Sequence, residues 1–144
     1  MSSMVLPIYI KQKSQLHEHL PWLAGPAFTI YPYIYLPKTT YLNLISEKPS
    51  VANLATLAHE QVHYKRQQDI GIAKYAMLYL FSKKFRYQEE LLAIAPQMSI
   101  YTQGGLIFDV NDRARRLSGS EYLWCVSFDE AVKDLSALHK NASI

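Results

Sequence analysis

The run His59-Glu60-Gln61-Val62-His63 constrains this chain more than any other feature of its sequence. In an α-helix, residues i and i+4 lie one turn apart on the same face, so this spacing places the two imidazoles side by side. Two imidazoles in that arrangement can share one zinc ion, and the glutamate between them can take a proton from a metal-bound water. The run therefore predicts a helix that carries the working part of a zinc hydrolase.

The flanking residues agree with a helix across this run. Ser50 is a suitable N-cap because its hydroxyl can accept a hydrogen bond from an amide of the first turn. Gly71 is the predicted C-terminal end. Between them, apolar residues recur at helical spacing. These residues are Leu54, Leu57, Ala58 and Val62. We therefore expect the two histidines in the interior of a helix, where they must align.

Two apolar helices are predicted after the motif helix. The first covers residues 72–81, in which only one residue is charged. The second begins near Phe85 and continues until Pro96 breaks or kinks it, because proline lacks the amide hydrogen that a helix interior needs. A short helix is also predicted within residues 5–24, ending near Pro21.

Two capping signals predict helices in the C-terminal part of the chain. Asn111 or Asp112 can cap a helix that ends at Gly119. The run Ser127-Phe128-Asp129-Glu130 is a capping box, in which the serine and glutamate side chains satisfy free backbone amides of the first turn. It opens an amphipathic helix. The apolar residues of that helix are Val132, Leu135 and Leu138.

Extended structure is predicted before the motif helix. Aromatic and β-branched residues dominate from Phe28 to Leu36, and Pro32 confines this segment to a sheet edge or to a break between two short strands. The Tyr-rich stretch 31–41 is predicted to be an edge strand that lines a cleft and can pair with an extended peptide. Residues 41–45 and 106–108 are predicted to be further short extended pieces.

These patterns together predict an α+β fold that is mostly helical, with a small β-hairpin or sheet packed on the motif helix. The length of 144 residues predicts a single domain, 1–144, able to bury a core without disulfides. The apolar share of 49% and the charged share of 19% argue against wholesale disorder. Cys125 is the one cysteine in the sequence, so no intramolecular disulfide is expected.

Charge and hydropathy argue against several kinds of partner. The net charge of +3 is mild, and the basic runs 83–86 and 113–116 are too short to indicate nucleic acid. The longest apolar stretch, 75–81, is too short to span a membrane. Residues 1–7 lack a basic start followed by an apolar run, so no signal peptide is expected. These features lead us to expect a soluble protein of the cytoplasm.

A catalytic zinc ion keeps three protein ligands, so a third ligand must come from another segment. The sequence offers Glu89 and Glu90 on the third predicted helix, which can return antiparallel to the motif helix. Ala93 follows Glu90 at i+3, and a small residue there would let the two helices approach closely. This facing favours Glu90, with Glu89 as the alternative.

The run from Leu57 to Gln68 resembles the active-site helix of gluzincin-type zinc metallopeptidases. Over about residues 27–138, the chain resembles the small metallopeptidase-like proteins of bacteriophages. In that group an extended segment precedes the motif helix, a Glu-x-x-Ala element follows on a later helix, and a Leu-Ser-Gly stretch with Tyr and Trp lies near the end. The matching segments here are Ile34-Tyr35-Leu36-Pro37, Glu90-Leu91-Leu92-Ala93, Leu117-Ser118-Gly119 and Tyr122-Leu123-Trp124. Ile94 departs from the larger gluzincins, which often have an acid there.

The resemblance implies a zincin-like minimal metallopeptidase domain with a bound Zn²⁺ ion. It implies His59, His63 and Glu90 as metal ligands and Glu60 as the general base. Tyr or His commonly donates a hydrogen bond to the oxyanion in such enzymes. The candidates for that donor are Tyr122 and Tyr101, and the candidates for orienting a ligand imidazole are Asp109 and Asp112.

Two classes of function follow as expectations. The leading one is a zinc-dependent peptidase or amide hydrolase acting on a peptide or protein, including cell-wall peptide. The competing one is a non-catalytic, zinc-stabilised structural or adaptor protein, such as a component of a phage virion or its assembly. The chain would then work in the cytoplasm of a host cell or in the virion.

Overall fold

The structure is a computed structural model that describes residues 9–13 and 27–142. Helices make up most of the described residues, and a small sheet precedes them, which confirms the mostly helical α+β prediction. The strands are β1 (Ile10–Gln12), β2 (Phe28–Ile30) and β3 (Tyr33–Leu36). The helices are α1 (Lys38–Leu44), α2 (Val51–Ile70), α3 (Ile72–Phe81), α4 (Lys83–Gln103), α5 (Val110–Leu117), a 3₁₀ turn (Ser120–Tyr122) and α6 (Phe128–Ala142). The short helix predicted to end near Pro21 lies outside the described residues.

The sheet has the order β1-β3-β2. β1 pairs parallel with β3, with Ile10 opposite Ile34, and β2 pairs antiparallel with β3, with Thr29 opposite Ile34. Pro32 lies in the turn between β2 and β3, as the predicted break requires. The prediction that stretch 31–41 is an edge strand is wrong. β3 is the central strand because β1, which the sequence did not reveal, pairs with its second side.

The segment predicted to be extended at 41–45 is helical instead. Helix α1 begins after Pro37, whose φ of −54° suits the start of a helix. Tyr41 and Leu44 lie three residues apart and therefore share one face of this helix. Leu44 is fully buried and Tyr41 packs against the same apolar cluster. A strand would send these two side chains to opposite faces, so the burial of both selects the helix.

Helix α2 carries the histidine motif and is confirmed over its whole length. The Ser50 hydroxyl accepts a hydrogen bond from the Asn53 amide at 3.1 Å, so Ser50 is the N-cap that its sequence position predicts. Gly71 ends the helix with a φ of +96°, a value that strongly favours glycine. The sheet packs against this helix, as predicted. The motif therefore lies in the middle of a well-bounded helix.

Helix α3 matches the predicted segment 72–81, but helix α4 is longer than predicted. It continues through Pro96 to Gln103, so of the two predicted outcomes, a break or a kink at the proline, the break is wrong. Ile94 and Met98 are fully or almost fully buried on either side of the proline. Their burial stabilises the helix by about 1.5–3 kcal/mol each. That gain offsets the roughly 3 kcal/mol cost of a proline in a helix interior.

The C-terminal helices begin at different residues from some of the predicted caps. Asp109, not Asn111 or Asp112, caps α5, because its carboxylate accepts the Asp112 amide at 2.9 Å. Residues 106–108, predicted to be a strand, form a loop into α5. The capping box before α6 is confirmed at one bond, since the Ser127 hydroxyl accepts the Glu130 amide at 3.2 Å.

Apolar side chains collect in two clusters on either side of the α2–α4 contact. The sheet cluster contains Ile10, Ile34, Leu36, Leu44 and Leu57. The C-terminal cluster contains Tyr87, Ile94, Met98, Phe108, Ala114, Leu117, Ala131 and Leu135. Helix α2 contributes Leu57 to the first cluster, and α4 contributes Ile94 and Met98 to the second. The two helices also contact each other through polar side chains, such as His59 with Gln97. Within the described part of the chain, no helix combines the length and apolar character needed to cross a membrane.

Candidate metal centre

Helices α2 and α4 pack against each other and run antiparallel. His59 contacts Gln97 and Arg66 contacts Glu89, so residue numbers fall along α4 as they rise along α2. This arrangement is the one expected if the third helix returns to face the motif. It brings the polar middle of each helix to a shared, buried layer.

Three side chains with metal-binding atoms meet in that layer. His63 Nε2 lies 3.2 Å from His59 Nε2 and 2.8 Å from Glu90 Oε2, and His59 Nε2 lies 3.8 Å from the same carboxylate oxygen. All three residues are buried, and their ligand atoms lie within 4.8 Å of one another. The structure thus places together the three residues predicted to bind zinc.

The donor set and its spacing fit a zinc ion. Two imidazole nitrogens and a carboxylate oxygen are ligands that zinc accepts at about 2.0–2.2 Å. Atoms bound to one tetrahedral zinc at those lengths lie roughly 3.3–3.5 Å apart, and the observed separations of 2.8, 3.2 and 3.8 Å bracket that value. Glu90 Oε2 is also buried, and its close contacts among the described residues are with the two imidazoles rather than with a hydroxyl or amide donor. A cation would satisfy this oxygen.

Charges within the site oppose the effect of burial. Burial disfavours the charged imidazole of His63, but the Glu90 carboxylate beside it raises the pKa of His63 to about 9. Burial acts against the charged form of Glu90 as well, yet His63 and His59 hold the pKa of its carboxyl well below its usual range. Because imidazole binds a metal through a neutral nitrogen, a bound cation would replace the proton of His63.

Glu89, the alternative third ligand, has a different partner. Arg66 Nη2 donates to Glu89 Oε1 at 2.7 Å, and Arg66 Nε lies 3.1–3.2 Å from both carboxylate oxygens. Such a forked contact occupies the lone pairs that a metal would need. The geometry therefore favours Glu90 as the ligand and gives Glu89 a structural ion pair.

Each imidazole has a partner on its second nitrogen. His59 Nδ1 lies 2.9 Å from Gln97 Oε1, and His63 Nδ1 lies 3.1 Å from the hydroxyl of Tyr75. Such partners orient ligand imidazoles and direct Nε2 towards the metal. Sequence reasoning missed both residues. The spacing of Gln97 from Glu90 is seven residues, two helical turns on the same face, and this signal could have revealed it.

The aspartates predicted to orient an imidazole lie elsewhere. Asp109 caps α5, and Asp112 lies 3.8 Å from Arg115 in an exposed ion pair. Because both Nδ1 atoms already face other side chains, the prediction for these two aspartates is wrong. The observed partners, Tyr75 and Gln97, come instead from α3 and α4, which pack directly on the motif helix.

Glu60 lies beside the three clustered residues and is held by the sheet. Its Oε2 accepts a hydrogen bond from the Thr29 hydroxyl of β2 at 2.7 Å. Burial raises the pKa of the Glu60 carboxyl, although His63, His59 and the Thr29 bond act in the opposite direction. Thr29 was another residue that the sequence did not single out, because only pairing of the strands brings it onto α2.

Gln67 ties the same strand to the motif helix. Its Nε2 donates to the Thr29 carbonyl at 3.0 Å, and its Oε1 accepts the Tyr31 amide at 2.7 Å. Gln67 follows His63 by four residues, so both side chains lie on one face of α2. One helix face therefore carries the histidines and the side chain that positions β2.

The two candidate oxyanion donors lie in different surroundings. Burial raises the pKa of the Tyr122 hydroxyl, and the Glu90 carboxylate raises it further. Tyr122 is therefore close enough to Glu90 for their electrostatic interaction to matter. Tyr101 packs edge-on against Phe108, with 5.7 Å between ring centroids, in the C-terminal cluster. Tyr122 is thus the better placed of the two, and its role stays a prediction.

No protein-family model, curated protein or solved structure matches this chain. The likeness to gluzincin-type metallopeptidases and to bacteriophage proteins therefore stays a prediction.

Proposed function

We propose that this chain is a zinc-dependent peptidase or amide hydrolase. His59, His63 and Glu90 would hold the ion, which supplies a Lewis acid and lowers the pKa of its water ligand towards about 7. Three protein ligands leave one coordination position open, as catalytic zinc sites do and structural sites with four ligands do not. The observation that carries the proposal is that Glu60 lies beside this group without belonging to it.

Glu60 has the surroundings that a general base needs. Its carboxylate is buried, which raises its pKa and makes it a better proton acceptor than an exposed glutamate. The bond from Thr29 holds one oxygen of the carboxylate in place. In the proposed reaction, Glu60 takes the proton from water as the water attacks a peptide carbonyl. It then delivers that proton to the leaving amine.

Tyr122 is proposed to donate a hydrogen bond to the oxygen that becomes negative during attack. A donor aimed at a developing oxyanion lowers the barrier, because its interaction strengthens as the charge forms. The raised pKa of Tyr122 keeps its hydroxyl protonated at neutral pH, as this role requires. Substitution with phenylalanine removes the donor and should lower kcat more than it changes KM.

A non-catalytic, zinc-stabilised structural protein is the second candidate. The observation that favours it is the low exposure of His59, Glu60 and His63, each 6–7% accessible among the described residues. A structural ion needs no access for substrate, and a virion or assembly component would need only the stability that zinc supplies. This alternative shares the metal ligands, so the two candidates differ in what Glu60 does.

The substitution Glu60→Gln separates the two candidates. It keeps the shape and the Thr29 hydrogen bond but removes the base, so hydrolysis should fall by about 100- to 10,000-fold. Zinc content should stay near that of the wild type. Activity is measured on fluorescein-labelled casein and on purified peptidoglycan, and metal content by atomic emission.

Glu47→Gln is the matched control, because it makes the same chemical change at an exposed residue outside the site. It should leave both readouts unchanged. Wild-type protein that holds zinc but cleaves neither substrate would favour the structural alternative. Purified wild-type protein without any bound metal would contradict both candidates.

A further inference from the structure

Gln97 receives two contacts on one atom. Its Oε1 lies 2.9 Å from His59 Nδ1 and accepts a hydrogen bond from Arg113 Nη1 at 3.0 Å. Gln97 is buried on α4, and Arg113 comes from α5, where its guanidinium lies over the Phe108 ring at 5.3 Å from the centroid. Three elements of the fold therefore converge on one side-chain amide.

The guanidinium decides which way this amide points. The two ends of a glutamine amide have nearly the same shape, but one is an acceptor and the other a donor. Arginine can only donate, so the end of Gln97 that faces Arg113 has to be the oxygen. The same oxygen faces His59, whose Nδ1 must then carry a hydrogen to complete the contact.

This arrangement selects the imidazole form of His59 that can bind a metal through Nε2. A neutral imidazole carries one hydrogen, and placing it on Nδ1 leaves the Nε2 lone pair directed at His63 and Glu90. The opposite amide orientation would present a donor to Nδ1. It would favour the hydrogen on Nε2, where it blocks metal binding.

We propose that Arg113 is a positioning residue that, through Gln97, holds His59 in its metal-binding form. The inference rests on the proposed metal site and assigns a role that the motif does not contain. The positive charge of Arg113 and its positioning role should affect zinc affinity in opposite directions. Arg113 lies close enough to Glu90 for their charges to interact. Loss of this cation alone would therefore strengthen the binding of another cation.

The test compares zinc affinities of folded variants by competition with a chromophoric chelator. Arg113→Met should weaken zinc binding by about tenfold or more, the range found when groups that orient metal ligands are removed. Arg115→Met is the matched control on the same helix, because Arg115 is exposed and its guanidinium lies 3.8 Å from Asp112, in an exposed ion pair. It should change the affinity by less than about twofold.

Gln97→Glu distinguishes orientation from packing. Both ends of a carboxylate are acceptors, so an orienting cation is no longer needed. In a Gln97→Glu background, Arg113→Met should therefore cost little zinc affinity. A purely structural role of Arg113 would produce the same loss in both backgrounds. Circular dichroism checks that each variant is folded, and Arg113→Lys, which retains a donor, should recover part of the affinity.

A second readout follows His59 itself. In the zinc-loaded wild type, ¹⁵N-edited NMR should show a hydrogen on Nδ1 and a metal-bound Nε2. Wild-type protein that binds zinc, together with an Arg113→Met variant of equal or higher affinity, would overturn this inference alone. Wild-type protein that binds no zinc would overturn the proposed metal site and this inference with it.

Discussion

Glu89 and Glu90 are neighbours in the chain and equally buried, with 2% of each exposed, yet they lie in opposite surroundings. The Glu89 carboxylate is paired with Arg66 through hydrogen bonds to both oxygens. The Glu90 carboxylate faces two imidazoles, and its Oε2 has no hydrogen bond among the described residues. Arg66 therefore balances the charge of Glu89, whereas Glu90 has a buried oxygen that a metal ion could bind.

The two buried carboxylates therefore have different roles in this protein. Adjacent residues on a helix point about 100° apart, so Glu89 and Glu90 contact different residues of α2. Glu89 contacts the Arg66 guanidinium, and Glu90 contacts the His63 imidazole. The first contact stabilises the packing of α2 on α4, and the second assembles the candidate site. The following variants test this division.

The largest effect is expected for Glu90→Gln, which removes the anionic ligand. Zinc binding in tight sites contributes about 10–16 kcal/mol. Loss of one of three ligands should then cost roughly 3–4 kcal/mol, which is about 100- to 1,000-fold in affinity. Glu89→Gln is the matched control and should change affinity by less than about threefold. Competition with a chelator measures both, and the reverse order of effects would assign the third ligand to Glu89.

An intermediate effect is expected for Arg66→Met, which should lower stability without changing zinc affinity. It leaves the buried Glu89 without its cation. Because 39% of the Arg66 side chain is exposed, water screens the pair, and we expect a loss of about 2 kcal/mol rather than the larger cost of a fully buried pair. Urea unfolding of zinc-saturated protein measures the loss.

Lys65→Met is the control for that variant. Lys65 pairs with Asp69 at 3.0 Å, but both side chains are largely exposed. Its removal should cost less than about 0.5 kcal/mol. Equal stability losses in the two variants would remove the distinction between the buried and the exposed pair. A large loss of zinc affinity in Arg66→Met would instead connect the Glu89 region to the metal site.

The smallest effect is the change in zinc affinity expected for a single pH unit. In the metal-free site His63 has a pKa of about 9, so at neutral pH it is protonated and zinc must displace that proton. Apparent zinc affinity should therefore rise by about tenfold per pH unit from about pH 6 to pH 8, and level off above the pKa. Calorimetry in buffers of different ionisation enthalpy should show about one proton released per zinc. A flat profile would mean that Glu90 does not hold His63 in its charged form.

The local part of the site could be predicted because it depends on a single helix. Ser50 and Gly71 bound that helix, and the four-residue spacing then aligns His59 with His63 whatever else the chain does. The capping box at Ser127 worked for the same reason, since a cap involves only neighbours in the chain. These features need no knowledge of tertiary structure.

The predictions that failed depended on distant contacts. Pro96 was predicted to break or kink the third helix, but α4 does not break there and continues to Gln103, with Met98 buried beyond the proline. Residues 41–45 have strand-forming character, but Tyr41 and Leu44 can both reach the sheet cluster only from a helix. In each case packing outweighed a local preference that is worth only a few kcal/mol.

The sequence by itself determined the histidine pair, the glutamate between them and the helix that aligns them, because covalent spacing sets which residues share a helix face. It reduced the candidates for a third ligand to two adjacent glutamates. Only the tertiary structure decided between these, by turning Glu90 towards His63 and Glu89 towards Arg66. It also supplied Thr29 and Tyr75, whose contacts depend on how strands and helices dock, and no spacing along one chain segment encodes that docking.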